Sequence, residues 1–121
     1  MNPRKYPLRY AITRKAVSTT FEYVELPPVP VGQVWVIHSH SFENETGARD
    51  DARAYIRRGG QYHWLWDESD PTKERLYWSE DEVALAEGDI LGVRQEGNAA
   101  GDILQLKAHG VVIFDSEKQV V

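Results

Sequence analysis

His38 and His40 stand two residues apart, with Glu43 and Glu45 just beyond. On a strand, side chains two apart leave the same face, so both imidazoles could approach one ion and a following carboxylate could complete a facial triad for a transition metal. A liganding imidazole is oriented through its second nitrogen, so such a centre would also call on His63 or His109. The reading adopted is the plainer one, in which His38 and His40 are half-buried or hydrogen-bonded strand residues. His38, His40 and Glu45 stay as the alternative metal set, and no cofactor is expected.

The aromatic residues form the second group. Tyr62, Trp64 and Trp66 alternate on one predicted strand, near His63 in sequence and followed by Tyr77 and Trp78. Flat apolar ring faces stack on sugars or bases, so a carbohydrate-binding module using exposed Trp residues is a rival function. On an unbroken strand Trp64 and Trp66 share the face of Tyr62, and a small sandwich needs large residues between its sheets, so core filling is expected of them. Arg53, Arg57 and Arg58 could grip carboxylates of a neighbouring subunit, since a guanidinium pairs in bidentate fashion and stacks on tyrosines such as Tyr55 or Tyr62.

Other chemistry finds little footing. Asp50-Asp51 and Glu80-Asp81-Glu82 read as solvated surface without the spacing of a calcium loop. No Gly-x-Ser-x-Gly elbow, phosphate-binding loop or dinucleotide fingerprint occurs. The absence of cysteine excludes thiolate zinc sites, cysteine nucleophiles and disulfides. The chain is therefore expected not to be an enzyme.

Charge is unevenly placed. Arg4, Lys5, Arg9, Arg14 and Lys15 precede the first acid, Glu22, whereas the whole chain holds 14 Lys and Arg against 19 Asp and Glu, a net charge of −5. Residues 1–17 thus read as an extended basic arm and residues 18–121 as one acidic domain, the arm reaching toward a neighbour's negative surface. Deleting the arm is expected to leave a folded body. If the arm docks, Tyr6, Leu8, Tyr10 and Ile12 alternate on one face and would add an edge strand to its own sheet or to another subunit's. An acidic body argues against general nucleic-acid binding. No apolar run is long enough for a membrane span, and synthesis in the cytoplasm is the expectation.

The elements that would position these residues are strands. At 121 residues, 41% apolar, the chain suits one core. Short runs rich in Val, Ile, Trp, Tyr and Phe recur between turn residues, and none keeps a helical period. Strands are expected at 19–26, 33–42, 52–58, 61–66, 76–78, 83–85, 90–94, 103–107 and 111–114. Val34 to Ile37 is apolar on both faces and marks a central strand. Ala52, Ala54 and Ile56 point inward, with Arg53, Tyr55 and Arg57 outward. Gly59-Gly60 closes a two-residue hairpin. Gly88-Asp89-Ile90-Leu91 and Gly101-Asp102-Ile103-Leu104 read as two similar turns entering strands. Unequal connectors favour a jelly-roll-like antiparallel β-sandwich over a meander.

Two resemblances follow. Gly32, His38, His40 and Glu45 resemble the first metal-binding motif of the cupins, which implies a β-barrel metal centre. The glycine expected after the glutamate spacing is absent, and Ala86-Glu87-Gly88-Asp89-Ile90-Leu91 has leucine where the second cupin motif places its histidine. Over a longer span, the succession Gly-Gln-Val-Trp-Val-Ile, Ala-Tyr-Ile-Arg-Arg-Gly-Gly, Leu-Tyr-Trp, Leu-Ala-Glu-Gly-Asp-Ile-Leu and Ala-Gly-Asp-Ile-Leu-Gln-Leu resembles small jelly-roll decoration (cement) or minor virion proteins of tailed bacteriophages. That resemblance implies a non-enzymatic subunit on the capsid exterior, assembled in the host cytoplasm and clamping the major capsid protein. It also implies self-association as a homotrimer or homodimer.

Overall fold

The computed structural model describes residues 4–17, 21–44, 51–69, 77–79, 82–96 and 100–114. Strands fill most of them: β1 (Arg4–Lys15), β2 (Phe21–Glu25), β3 (Gln33–Asn44), β4 (Asp51–Arg58), β5 (Gln61–Ser69), β6 (Tyr77–Ser79), β7 (Val83–Leu85), β8 (Ile90–Glu96) and β9 (Ile103–Phe114). One sheet runs β1-β9-β3-β6, with β7 also on β3, and the other runs β2-β8-β4-β5. All pairs are antiparallel. The protein is an all-β sandwich of jelly-roll type. Its pairs β1 with β9, β2 with β8, β3 with β6 and β7, and β4 with β5 are those of one long hairpin wound over itself.

Period-two alternation builds the core. Leu104, Leu106 and Ala108 of β9 turn inward beside Trp35, Ile37 and Phe42 of the neighbouring β3, and all six are essentially buried. Val24, Leu91, Val93, Ala52, Ala54 and Ile56 face them from the second sheet. The inward set expected on β4 is the one found. The Gly59-Gly60 hairpin also forms, both glycines at positive φ (57° and 81°), as a turn matched to the strand twist requires. Gly88 and Gly101 likewise adopt positive φ, and the following Asp89 and Asp102 are buried before β8 and β9 begin.

Within residues 1–17, Arg4–Lys15 is not an arm beside a body but the edge strand of the first sheet. It pairs with β9 from Arg4 opposite Phe114 to Lys15 opposite Ile103. Leu8 and Ala16 lie in the core, because the alternating face of Tyr6, Leu8, Tyr10 and Ile12 extends the inner face of the sheet beyond β9. Pro7 is tolerated because an edge strand leaves one side without a ladder. The strands expected at 103–107 and 111–114 are one continuous β9, since Ala108-His109-Gly110 is not a turn. Gly110 is required there by close approach: a Cβ would collide with the carbonyl oxygen of Val36 on β3.

Two bulges set which way the chemistry-bearing residues point. Ile37 pairs with Gly110 but Ser39 pairs with His109, so His38 is an extra residue in β3. Tyr55 pairs with Trp64 but Ala54 pairs with Trp66, so Leu65 is an extra residue in β5. Each insertion reverses the alternation beyond it.

Candidate functional site

The bulge at His38 separates the two histidines expected to share a face. His38 is exposed, its Nδ1 3.2 Å from the Glu82 carboxylate. His40 is buried on the inner face, where its Nε2 accepts a hydrogen bond of 2.7 Å from the Trp66 indole N–H. A pair of imidazoles converging on one ion is therefore not formed, and among the described residues no cluster of three metal-ligating side chains occurs. Glu45 lies outside the described residues.

The bulge at Leu65 does the same to the tryptophans. Trp66 turns inward and stacks on Phe42, with centroids 4.8 Å apart, so core filling holds for it. Trp64 turns outward, is 44% exposed, and stacks on Tyr62 at 5.6 Å with 12° between the rings. The expectation that Trp64 and Trp66 share a face fails because one inserted residue flips the second of them. The side chains of Tyr77 and Trp78 lie outside those described.

Around Trp64, the outer face of the second sheet is layered. The Arg94 guanidinium carbon lies 4.7 Å from the centroids of both Phe21 and Trp64, linking β2 on one side of β8 to β5 beyond β4 on the other, and Arg53 lies 5.8 Å from Trp64. Tyr55 points outward as expected yet has no exposed surface, because Tyr23, Tyr62 and Trp64 cover its ring. Its hydroxyl donates to Glu25 at 2.7 Å, and Arg57 closes on the same carboxylate with two bonds of 3.0 Å. Burial works against the charged Glu25, but hydrogen bonds from Arg57 and Tyr55 prevail and hold it below the usual carboxylate range. Burial and the Glu25 carboxylate push the Tyr55 phenol far above its ordinary value.

The other arginines are engaged in different ways. Arg58 makes two bonds to Asp89, at 2.9 and 2.6 Å, while the Ala86 N–H donates to the same carboxylate at 2.9 Å. The turn role read for this Gly-Asp pair is thus fulfilled, with Arg58 added. Arg57 and Arg58 are committed to acids of their own chain. Arg14 points to the inner face of β1, bonding the Tyr23 carbonyl at 2.9 Å and the buried Glu22 at 3.3 Å, so it joins the two sheets. The Arg4 side chain lies outside those described.

Asp89 supplies a pH test. The Arg58 hydrogen bonds hold its carboxyl below the usual range, against opposing burial and with help from the Ala86 N–H. A carboxyl depressed in the folded state stabilises fully above the unfolded value, about pH 4, and that stability is lost as pH falls through the lower folded value. Melting temperature should therefore fall as pH is lowered below about 4, and Asp89→Asn should lower it by several degrees at pH 6 while flattening the acid slope. An acid slope unchanged in Asp89→Asn would remove Asp89 from the account.

Lys5, Arg9 and Lys15 do share a surface, the outer face of the first sheet. Pairing brings partners that sequence distance hid: Arg9 faces His109, and Ala11 faces Lys107. These rows continue onto β3 as Ser39 and Ser41. At one end of the same face the rows are apolar, Val34 with Ile113 and Val36 with Val111, all only half-buried. The double-sided apolar character of Val34 to Ile37 does mark an interior strand, but no element of the described chain covers its outer side. Among the described residues, no carboxylate pairs with Lys5, Arg9, Lys15 or Lys107. A separate cleft of about 420 Å³ opens where Tyr6, Tyr10, Trp35 and Phe114 meet, and no charged group lines it.

No family model and no curated protein matches the chain. Solved structures do resemble it. A chain of the Bacillus endospore appendages, described as a novel family of disulfide-linked pili, is 10% identical at a TM-score of 0.56, with 96% of this chain and 93% of that one covered. The K3 cleaved adhesin domain of Lys-gingipain from Porphyromonas gingivalis w83 is 12% identical at 0.47, covering 84% and 73%. A chain from infectious bursal disease virus, Gt strain, is 13% identical at 0.39, covering 97% of this chain and 33% of that one. At such identities the likeness is one of fold, and the chain, lacking cysteine, cannot form the disulfide links of those pili.

Proposed function

We propose that this protein is a structural, non-enzymatic assembly subunit that docks through the outer face of the first sheet. In its most specific form, it decorates the capsid of a tailed bacteriophage and clamps neighbouring copies of the major capsid protein. The observation that carries the reading is the outer face of β1, β9 and β3, where half-buried Val34, Val36, Val111 and Ile113 adjoin Lys5 and Arg9, with Lys107 and Lys15 farther along the same face. An apolar patch flanked by polar and charged residues is the kind of surface that protein interfaces bury. Cations on a chain of net charge −5 select an acidic partner and speed the encounter.

The pilus-forming chain of the same fold supports a structural role, and the resemblance in strand succession and spacing to phage virion proteins points the same way. Mass action gives the mechanism: a subunit that binds only the assembled shell stabilises that shell, and modest contacts suffice when many copies bind. Self-association at a symmetry axis, as a dimer or trimer, belongs to the same proposal, as does a place on the capsid exterior.

The test is co-sedimentation with particles assembled without the gene. The wild-type chain should pellet with them, and the double variant Arg9→Glu/Lys107→Glu should bind at least tenfold more weakly while melting within a few degrees of wild type. Binding should also weaken with added salt. Undiminished binding by a folded charge-reversed variant would remove this face from the mechanism, and failure of the wild type to bind any particle would remove the capsid.

A further inference from the structure

The free edge of the first sheet offers a site of another kind. Along a strand the backbone N–H and C=O groups turn to alternate sides, residue by residue. The Ala16 N–H donates to the Asp102 carbonyl at 2.7 Å, and the Ala16 carbonyl accepts from the Gly101 N–H at 2.7 Å, so Ala16 turns its backbone to the β9 side. The Val17 N–H turns the other way, to Glu22. Pairing of β1 with β9 runs without a shift from Lys15 back to Arg4. The even-numbered residues therefore bond β9, and Lys5, Pro7, Arg9, Ala11, Thr13 and Lys15 turn their backbones to the open edge. Pro7 falls in that outward set, where its lack of an N–H costs the ladder nothing. All of these residues are exposed, and among the described residues nothing pairs with their outward groups.

The other edges are shorter or irregular. β2 has five residues, β6 and β7 three each, and β5 carries the Leu65 bulge. A regular edge of twelve residues is a template for another strand unless something guards it. Here the guard is charge, and charge selects. The two longest antiparallel pairings of β1 with a second copy of itself set Lys5 opposite Lys15 or Arg9 opposite Arg9, so self-pairing is opposed. On the outer face an incoming strand meets Lys5, Arg9 and Lys15, which no carboxylate of the described residues neutralises. On the inner face it meets Tyr6, 46% exposed, and half-buried Tyr10 and Ile12, beside the uncharged cleft that both tyrosines help to line. We infer that the edge of β1 takes an extended segment of a partner protein as an added antiparallel strand, with acids opposite Lys5, Arg9 and Lys15 and apolar residues opposite Tyr6, Leu8, Tyr10 and Ile12. Main-chain hydrogen bonds hold such a strand, and the alternation of acid and apolar residues picks it. The inference rests on the reading of an acidic partner at the first sheet and adds how that partner is held.

The test uses the isolated full chain and a labelled peptide of that pattern, Glu-Ser-Thr-Val-Thr-Val-Glu-Val-Thr-Val-Glu, whose acids fall opposite Lys15, Arg9 and Lys5. Fluorescence anisotropy should show binding. A peptide of the same composition with acids and valines mixed on one face should bind roughly tenfold more weakly or worse. So should one N-methylated at the threonines opposite Ala11 and Thr13, which keeps the charge and loses the donors. Ala11→Pro removes an outward N–H and no bond to β9, so it should weaken binding to a similar degree while melting within a few degrees of wild type. Arg9→Glu should also weaken it, and lysine in place of the facing glutamate of the peptide should restore it; this exchange decides the matter if Ala11→Pro proves unstable. With peptide bound, amide hydrogen exchange at Arg9, Ala11 and Thr13 should slow by roughly tenfold or more, while Tyr10 and Ile12, already bonded to β9, change little. Absence of binding, equal binding of the mixed-face or N-methylated peptide, or unchanged exchange at those amides overturns the inference. If the peptide fails while the chain still pellets with particles, the edge is removed and the outer face stands. The reverse pattern removes the particle and leaves the edge.

Discussion

Removing residues 1–17 is expected to abolish cooperative unfolding, not to free a stable body from its arm. The deletion takes away the entire partner of β9 on one side and uncovers Leu104 and Leu106, which have no exposed surface in the intact sandwich. Loss of Leu8 alone forfeits about 2 kcal/mol of burial. Loss of Arg14 and of the Val17 N–H leaves the Glu22 carboxylate, 2% exposed, without the cation at 3.3 Å and the donor at 2.8 Å that now hold it. Breaking a buried ion pair by removing one partner costs about 3–5 kcal/mol. Together these approach the whole net stability of a small domain, about 5–15 kcal/mol. Calorimetry of the truncated chain should show no sharp transition, and a synthetic peptide of residues 1–17 added in trans should restore one. A truncated chain that melts sharply within a few degrees of the full one would refute the placement of β1 in the sheet.

Gly110→Val is expected to cost about 3 kcal/mol or more, the largest effect of any single substitution considered. Most small-to-large changes are relieved by a rotamer change in a neighbour. Here the obstruction is backbone: the Val36 carbonyl and the Ile37 Cα occupy the place a Cβ would take. Relief requires β3 to move away from β9 at the rung where His38 bulges, which also displaces the adjoining His109 and Ser39 rung of the proposed docking face. Gly88→Ala is the control. Open space surrounds that position, but φ is +84°, so only backbone strain of ~1 kcal/mol is expected. Denaturant titration of the two variants separates the cases, and equal losses would show that steric crowding at Gly110 is not what matters.

The proposed docking face was partly legible in the sequence. Lys5, Arg9 and Lys15 stand out because their segment has no acids. Lys107 and His109 do not, since nothing in a linear reading links residues about a hundred positions apart until β1 lies on β9. Arg57 and Arg58 look like interface arginines for the opposite reason: their own partners, Glu25 and Asp89, are about thirty residues away in sequence and adjacent only across the second sheet. Arg94 gave no signal at all, since its aromatic neighbours come from β2 and β5.

By itself the sequence determined what local chemistry determines. It made the chain all-β through recurring β-branched and aromatic runs, placed the Gly59-Gly60 hairpin and the two Gly-Asp turns, and set the inward face of β4. It even offered β1 its place, through the alternation of Tyr6, Leu8, Tyr10 and Ile12. The tertiary structure alone decided the order of strands, and with it which cations gather on one face. It also decided which side His40 and Trp66 occupy. The physical reason is that a strand's side-chain period is two, so one extra residue reverses everything beyond it. Whether a residue is extra depends on the strand opposite, and pairing across the sheet brings that strand from a distant part of the chain.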